Sequence, residues 1–328
     1  MKIIKFFKEK NYLNTIAILK LGKIKNNLYF LFKYFFFKKK MKHHLKDSFS
    51  KKKFKTKDGK SIEIFENIYE KLNDNFFVDS LEMRMNEKIK EFLPSVNFIF
   101  DIGANIGSWT LAQKVFYNQD VKIYSFEPSK ITFEILKKNI PKNENIEIYN
   151  IALGDKNCYQ TLSLPIGAVR EGKYYGVGNY TLKTESLFFG EKVQVCKFDT
   201  VFEKEFSKNI NLENSGVYIK IDCEGSELDF INGAYKTLKM LNNIIIQIEF
   251  NKKIFDFSKE SYISNFEKRL ELLKNLGFKK LFYEDRNLEF QLVNIDNIDF
   301  KNVFENPIKL HKTNEYKNIY VIDIFFSK

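Results

Sequence analysis

Apolar and polar positions along this 328-residue chain change period repeatedly, and the changes divide it into short β runs and longer helical stretches. The pattern F-K-T-K-D-G-K-S-I-E-I over 54–64 predicts a hairpin turning at Asp58 and Gly59. Helical periodicity predicts helices over about 65–75 and 79–92, the second stopped by Pro94. An apolar run at 98–100 predicts a strand, followed by a glycine-containing loop and a helix over 109–118. A strand over 121–126, a helix over 131–140 and a strand over 146–153 continue the alternation expected of a mostly parallel sheet.

From 156 to 200 that alternation stops. Short β-like runs at 159–164, 179–183 and 192–198 are separated by Gly167, Gly172, Gly176, Gly178 and Gly190, which predicts a β-rich insertion at the ligand side of the sheet. Residues 217–221 predict a central strand, and 242–250 a strand buried on both faces. A helix over 262–276 carries Phe266, Leu270, Leu273 and Leu276 on one face and is closed by Gly277. The tail holds β-like runs at 281–283, 290–295 and 320–326, the last two expected to form an antiparallel hairpin that finishes a mixed sheet. The pattern therefore divides the chain into an N-terminal appendage (1–60), a helical lead-in (61–95) and one large α/β domain (96–328) containing the insertion.

Charge sharpens that division. The net charge is +12, but residues 1–60 alone carry +16 and the remaining 268 residues carry −4. A phosphate-tracking surface needs clustered cations, so the main domain is not expected to bind nucleic acid. The appendage also holds an aromatic patch at 28–37, L-Y-F-L-F-K-Y-F-F-F, followed by three lysines. Ten residues interrupted by Lys33 are too short to cross a hydrocarbon core that needs about 20, and no signal-peptide cleavage pattern follows. Two readings are open: a cap packed on the domain, and peripheral contact with an anionic membrane, where each surface base contributes about 1 kcal/mol.

Cys158, Cys196 and Cys223 are sparse and lack a C-x-x-C pair, which fits a reducing, cytoplasmic setting rather than a disulfide framework. The histidines, His43, His44 and His311, lie beside no motif, so a histidine triad or a two-histidine metal helix is not expected.

Chemistry concentrates in two stretches. In N-F-I-F-D-I-G-A-N-I-G-S-W-T (97–110), Asp101 ends a strand and Gly103 and Gly107 bracket a turn into a helix, where a ligand can approach backbone N–H groups. Glu127 closes the next strand 20 residues after Gly107, placed to accept hydrogen bonds from both ribose hydroxyls of an adenosine cofactor. In V-Y-I-K-I-D-C-E-G-S-E-L-D-F-I-N-G (217–233), Lys220 interrupts a buried strand and Asp222, Glu224 and Glu227 crowd its carboxyl end, the side on which open α/β sheets bind ligands. A helix dipole starting near Ser226 accounts for Glu227, less well for Asp222, and not for Lys220. The G-x-G-x-x-G fingerprint of nicotinamide-dependent oxidoreductases is absent, since position 105 is asparagine.

Taken in order, F-D-I-G-A-N-I-G-S (100–108), F-E-P (126–128), N-I-A-L-G-D (150–155), K-I-D-C-E-G-S-E-L (220–228), N-G-A (232–234) and I-I-Q-I-E (245–249) closely resemble the FkbM family of S-adenosylmethionine-dependent methyltransferases, over about 95–285. The resemblance implies a class I methyltransferase, Rossmann-like α/β fold with a mostly parallel sheet, and methyl transfer to oxygen, commonly on sugars or natural products. Mapped onto this chain, Asp101, Gly103, Ala104, Asn105 and Gly107 would hold the methionine part of the cofactor, Glu127 its ribose, and Ala152 and Leu153 its adenine edge. Cys223 stands where the family usually has an aliphatic residue, a conservative change for a small buried side chain. Asp222 or Glu224 is expected to act as general base, with Lys220 orienting them or lowering the acceptor's pKa. A minority arrangement would place a divalent metal on Asp222, Glu249 and Asn251. The expected acceptor is a hydroxyl of a sugar in a surface glycan or its precursor; a small metabolite or lipid, or a cofactor-binding scaffold without turnover, are the other readings.

Fractionation of cells carrying the chain with and without residues 1–55 separates the two readings of the appendage. Loss of a membrane-bound pool on truncation marks membrane contact, and an equally soluble pair marks a cap.

Overall fold

The computed structural model describes residues 49–68, 71–117, 121–140, 145–163, 169–170, 173–174, 182, 190–211, 213–251, 259–284, 289–298 and 321–328. The aromatic patch at 28–37 lies outside the described residues, as does the β-like run at 179–183 apart from Leu182. No helix among the described residues is long and apolar enough to cross a membrane.

Strands β1 (Phe49–Lys55) and β2 (Ser61–Asn67) form the expected hairpin around Asp58 and Gly59, with Gly59 at φ +80°. The strands are longer than the sequence suggests. Residues 65–67 complete β2 instead of opening a helix, because they pair one-to-one with Phe49–Lys51 and Phe65 exchanges hydrogen bonds with the side chain of Asn139 (2.6 and 3.0 Å). The hairpin is thereby tied to the main body, and its two strands pair across position 60. Helix α1 (Phe76–Asp79) is a single turn; α2 (Leu81–Phe92) starts at Ser80, whose hydroxyl accepts from the Met83 N–H.

The Rossmann-like core follows as β3 (Phe98–Ile102), α3 (Ser108–Tyr117), β4 (Lys122–Phe126), α4 (Lys130–Asn139) and β5 (Ile146–Tyr149). The strand expected over 146–153 divides in two. The Asn150 amide donates to the carbonyls of Glu127 (2.8 Å) and Pro128 (3.0 Å), turning the chain so that β6 (Ala152–Leu153) leaves the main sheet. In the insertion, β7 (Cys158–Ser163), the two-residue strands β8 (Val169–Arg170) and β9 (Lys173–Tyr174), and β10 (Gly190–Cys196) are β-structured as expected. There β10 lies between β6 and β7 in a small three-stranded sheet.

A helical segment, α5 (Phe198–Val201) running into a π-turn at Phe202–Phe206, leads to β11 (Val217–Ile221). Helices α6 (Glu227–Gly233) and α7 (Tyr235–Met240), β12 (Ile244–Asn251) and α8 (Lys259–Asn275) complete the alternation. The tail adds β13 (Lys280–Glu284), β14 (Phe290–Asn294) and β15 (Val321–Ser327).

The main sheet has the order β14-β13-β15-β12-β11-β3-β4-β5, parallel from β12 to β5. Its antiparallel end differs from the pairing expected. The hairpin is β13–β14, and β15 slots between β12 and β13 instead of pairing with β14. The physical reason is burial: Ile324, Phe325 and Phe326 are at most 1% exposed, and only an interior strand covers both faces of such a run. Successive strand residues alternate between two cores. Phe100, Ile219, Ile246 and Phe326 face α5–α8, while Ile99, Tyr218, Ile245 and Phe325 face α2–α4 and the hairpin.

Truncating Phe325, whose ring stacks on Phe282 with centroids 5.1 Å apart, removes a contact at the centre of the second core. Phe325→Ala is expected to lower stability by about 3–5 kcal/mol in urea denaturation.

Candidate functional site

The carboxyl ends of β3, β4, β11 and β12 open onto a cleft of about 760 Å³, counted with its mouth. The loop after β3 forms its floor. Gly103 and Ala104 donate to the Phe126 carbonyl, and Gly103 and Gly107 hold φ of +84° and +88°. A Cβ on Gly103 would lie 1.9 Å from the Asp222 carbonyl oxygen, so the glycine loop and the loop after β11 are in direct contact. The Asp222 N–H donates to the Ile102 carbonyl (3.0 Å), which makes that contact part of the sheet.

Glu127 stands on the wall between these loops and the insertion. Its oxygens accept from the backbone N–H groups of Asn105 (3.0 Å) and Ser129 (2.9 Å). Burial raises its carboxyl to about 8 despite those two donors. Phe126, Ile151, Ala152, Leu153, Leu162 and Leu182 make the adjoining wall apolar, the last two brought by the insertion. Asn105 Oδ1 and Ser226 Oγ are buried at the cleft without a hydrogen bond among the described residues. An apolar slot, a carboxyl group with spare lone pairs and orphaned polar atoms on a glycine floor match the donor and acceptor needs of an adenosine bearing a polar chain.

Three acids also line the cleft. Asp222, Glu224 and Glu249 offer oxygens within 4.8 Å of one another. Glu249 is hydrogen-bonded to Asp222, and burial, followed by the charges of Asp222, Glu224 and Asp323, holds its carboxyl well above the usual range. Asp323 on β15 is the register partner of Glu249; burial raises it to about 7, opposed by a hydrogen bond from Gln247. Asn251 ends β12, and its side chain lies outside the described residues.

Asp101 and Lys220 are neighbours in register on β3 and β11, behind the cleft rather than on its walls. The Lys220 ammonium donates to Asp222 (2.9 Å) and lies 3.8 Å from Asp101 Oδ1 and 5.7 Å from the centre of the Trp109 ring. Burial alone would push Lys220 down; Asp222 and Asp101 more than reverse this and hold it above its ordinary value. Asp101 is fully buried and is raised by that burial, with Lys220 and the Thr110 hydroxyl (2.6 Å) acting against it.

The structure thus gathers Gly103, Asn105, Glu127, Ala152, Leu153, Asp222 and Glu224 around one cleft, and sets Asp101 and Lys220 behind it. Ala104 and Gly107 shape the glycine turn without lining it, the Gly107 N–H donating to the Ala104 carbonyl (2.8 Å). Sequence reasoning missed Thr110, Ser125 and Asp323 and gave Glu249 no part in proton handling. The available signal was an acid inside the apolar runs I-I-I-Q-I-E-F and V-I-D-I-F-F.

Comparison with known proteins identifies the family. The methyltransferase FkbM domain matches residues 101–280, more than half of the chain. The chain therefore belongs to the FkbM methyltransferase domain family, and its order of strands and helices is the class I methyltransferase fold. It is 44% identical over 176 residues to methyltransferase sdnD of Sordaria araneosa, a match spanning 47% of this chain and 67% of that protein. Among solved structures it is similar to the methyltransferase FkbM of Methylobacillus flagellatus KT (12% identity, TM-score 0.39), covering 70% of this chain and 43% of that one. A second similarity is to M. jannaschii TYW2 in complex with AdoMet (11% identity, TM-score 0.35, 86% of this chain and 87% of that one).

Two outcomes follow from the geometry. Gly103→Ala combines a left-handed φ with a clash against backbone and is expected to cost roughly 2–4 kcal/mol in chemical denaturation. With Glu127 raised from 4.5 to about 8, the folded protein retains a proton that the unfolded chain releases, so stability is full below pH 4.5 and falls as pH rises towards about 8. Urea melts at about pH 5 and about pH 8 are expected to show that fall, and Glu127→Gln to reduce it.

Proposed function

We propose that this protein is an S-adenosylmethionine-dependent O-methyltransferase whose acceptor is a hydroxyl, foremost that of a sugar in a surface glycan or its precursor. The observation that carries the reading is the juxtaposition, in one cleft, of the glycine loop and Glu127 with the acid group at the ends of β11 and β12. On this reading Gly103 to Gly107 and Asn105 receive the amino-acid end of the cofactor, Glu127 accepts from its ribose, and the apolar wall at Ala152 and Leu153 takes its adenine. The cofactor supplies a methyl group on a sulfonium, so displacement needs chiefly alignment of acceptor oxygen, methyl and sulfur.

The chain's own residues handle the proton. Asp222 and Glu249 share a hydrogen bond, and burial keeps one proton on the pair with one negative charge beside it. That charge takes the proton leaving the acceptor hydroxyl as the new C–O bond forms, the part of a general base. Lys220 acts as a positioning residue: its ammonium fixes Asp222 and supplies a cation to the acid group, so we expect activity to survive EDTA. Glu224 lines the cleft with the same acids and is assigned to acceptor binding. The lysine-bearing face of the β1–β2 hairpin and the appendage before it would bring the cleft near an anionic membrane or polymer.

Calorimetry is expected to register binding of S-adenosylmethionine, weakened about threefold to tenfold in Glu127→Gln, which puts an amide donor in place of one acceptor oxygen. Asp222→Asn and Glu249→Gln are expected to retain that binding while slowing methyl transfer by about 10² to 10⁴. Unchanged turnover in both removes the pair as base, and binding without transfer to any glycan, metabolite or lipid acceptor leaves the scaffold reading. Comparison of surface glycans and metabolites with and without the gene should reveal the acceptor as a mass difference of one methylene.

A further inference from the structure

The segment that carries Asp222 and Glu224 turns unusually sharply between β11 and α6. Glu224 has φ +49° and Gly225 φ +100°, and a non-glycine residue in that region costs about 1–3 kcal/mol unless its surroundings hold it there. Glu227 holds it. One carboxylate oxygen accepts from the N–H of Gly225 (2.9 Å) and, at 3.3 Å, from that of Cys223, so the side chain closes the turn from below. Its other oxygen accepts from Arg269 Nη2 on α8 at 2.9 Å. Both residues are 2% exposed, and a buried carboxylate of this kind needs its cation.

Arg269 links more than the turn. Its guanidinium lies 5.1 Å from the centre of the Phe250 ring, and Phe250 packs edge-on against Phe266 of α8 (4.7 Å). Phe250 follows Glu249 directly in β12, with its side chain on the opposite face of the sheet. The same guanidinium therefore touches the residue that positions Asp222 and Glu224 and the residue next to Glu249. Neither Glu227 nor Arg269 lines the cleft.

We infer that Glu227 and Arg269 form a positioning clamp that sets the spacing of Asp222, Glu224 and Glu249 from beneath the sheet. The helix-dipole role that sequence assigns to Glu227 is subsidiary, because both of its oxygens are engaged by the turn and by α8. The catalytic consequence rests on the methyltransferase reading above; the mechanical one does not.

The test uses the full chain and the variants Arg269→Lys, Arg269→Met and Glu227→Gln. Hydrogen exchange followed by mass spectrometry on the peptide covering 222–231 needs no acceptor, and Arg269→Met is expected to speed exchange of the Cys223 and Gly225 amides by roughly tenfold or more. Exchange at the wild-type rate in folded Arg269→Met overturns the clamp. Turnover with labelled S-adenosylmethionine and a cell extract of polar metabolites and glycans adds the functional arm. There Arg269→Met is expected to lose on the order of 10² in kcat with unchanged KM for S-adenosylmethionine, the effect of a small misplacement, and Arg269→Lys to recover part of it. A loss shared equally by kcat and cofactor affinity, with no rescue by lysine, reduces the pair to a fold-stability role and overturns the inference. If Arg269→Met fails to fold, Glu227→Gln and Arg269→Lys decide by the same two measurements. A wild type that neither binds S-adenosylmethionine nor transfers methyl refutes the methyltransferase reading, and the exchange result stands apart from it.

Discussion

A single buried ammonium organises the carboxyl edge of the central sheet. Lys220 sits within the central strand of a largely apolar sheet, and its charge is tolerated there because Asp101 and Asp222 flank it. The two acids share one cation in a low-dielectric layer: removing Lys220 leaves both without their partner, which is costlier than the ion group is favourable. The glycine loop begins at Asp101 and the acid-bearing turn at Asp222, so the ion group ties the two halves of the cleft to each other.

Around that centre the sheet uses its two faces differently. Lys220, Asp101, Gln247, Asp323 and Ser125 occupy the face towards α2–α4, forming a polar row at the carboxyl edge. Thr110 bridges Asp101 (2.6 Å) and Ser125 (2.9 Å) there. The opposite face is a continuous aromatic and aliphatic core, within which Glu227 and Arg269 are a buried ion pair. Acids of raised proton affinity therefore gather along one rim, where parallel strands end and ligands of such sheets bind. Burial is the first cause of the shift at Glu127, Glu249 and Asp323 alike.

The glycine-loop side of the cleft was the more legible half. Gly103, Gly107 and Glu127 act through local geometry: a left-handed turn, a helix start, a strand end. Residues close in sequence suffice to encode each of these. The acid side was legible only in outline. Asp222 and Glu224 were visible because they interrupt an apolar pattern, but that Lys220 faces away from the cleft depends on which face of β11 packs on Trp109. The place of Asp323 beside Glu249 depends on β15 returning across roughly seventy residues to lie between β12 and β13.

Local pattern was enough to establish the α/β alternation, the glycine turn and the family to which the chain belongs, since periodicity, turn chemistry and motif spacing are properties of contiguous residues. Tertiary structure alone decided that 65–67 extend a hairpin, that 146–153 divides between two sheets, and that Glu227 answers to Arg269 forty-two residues away. Those outcomes turn on which partner covers an exposed backbone edge or neutralises a buried charge. Such partners come from distant segments, whose approach is set by packing of the whole sheet rather than by any stretch of sequence.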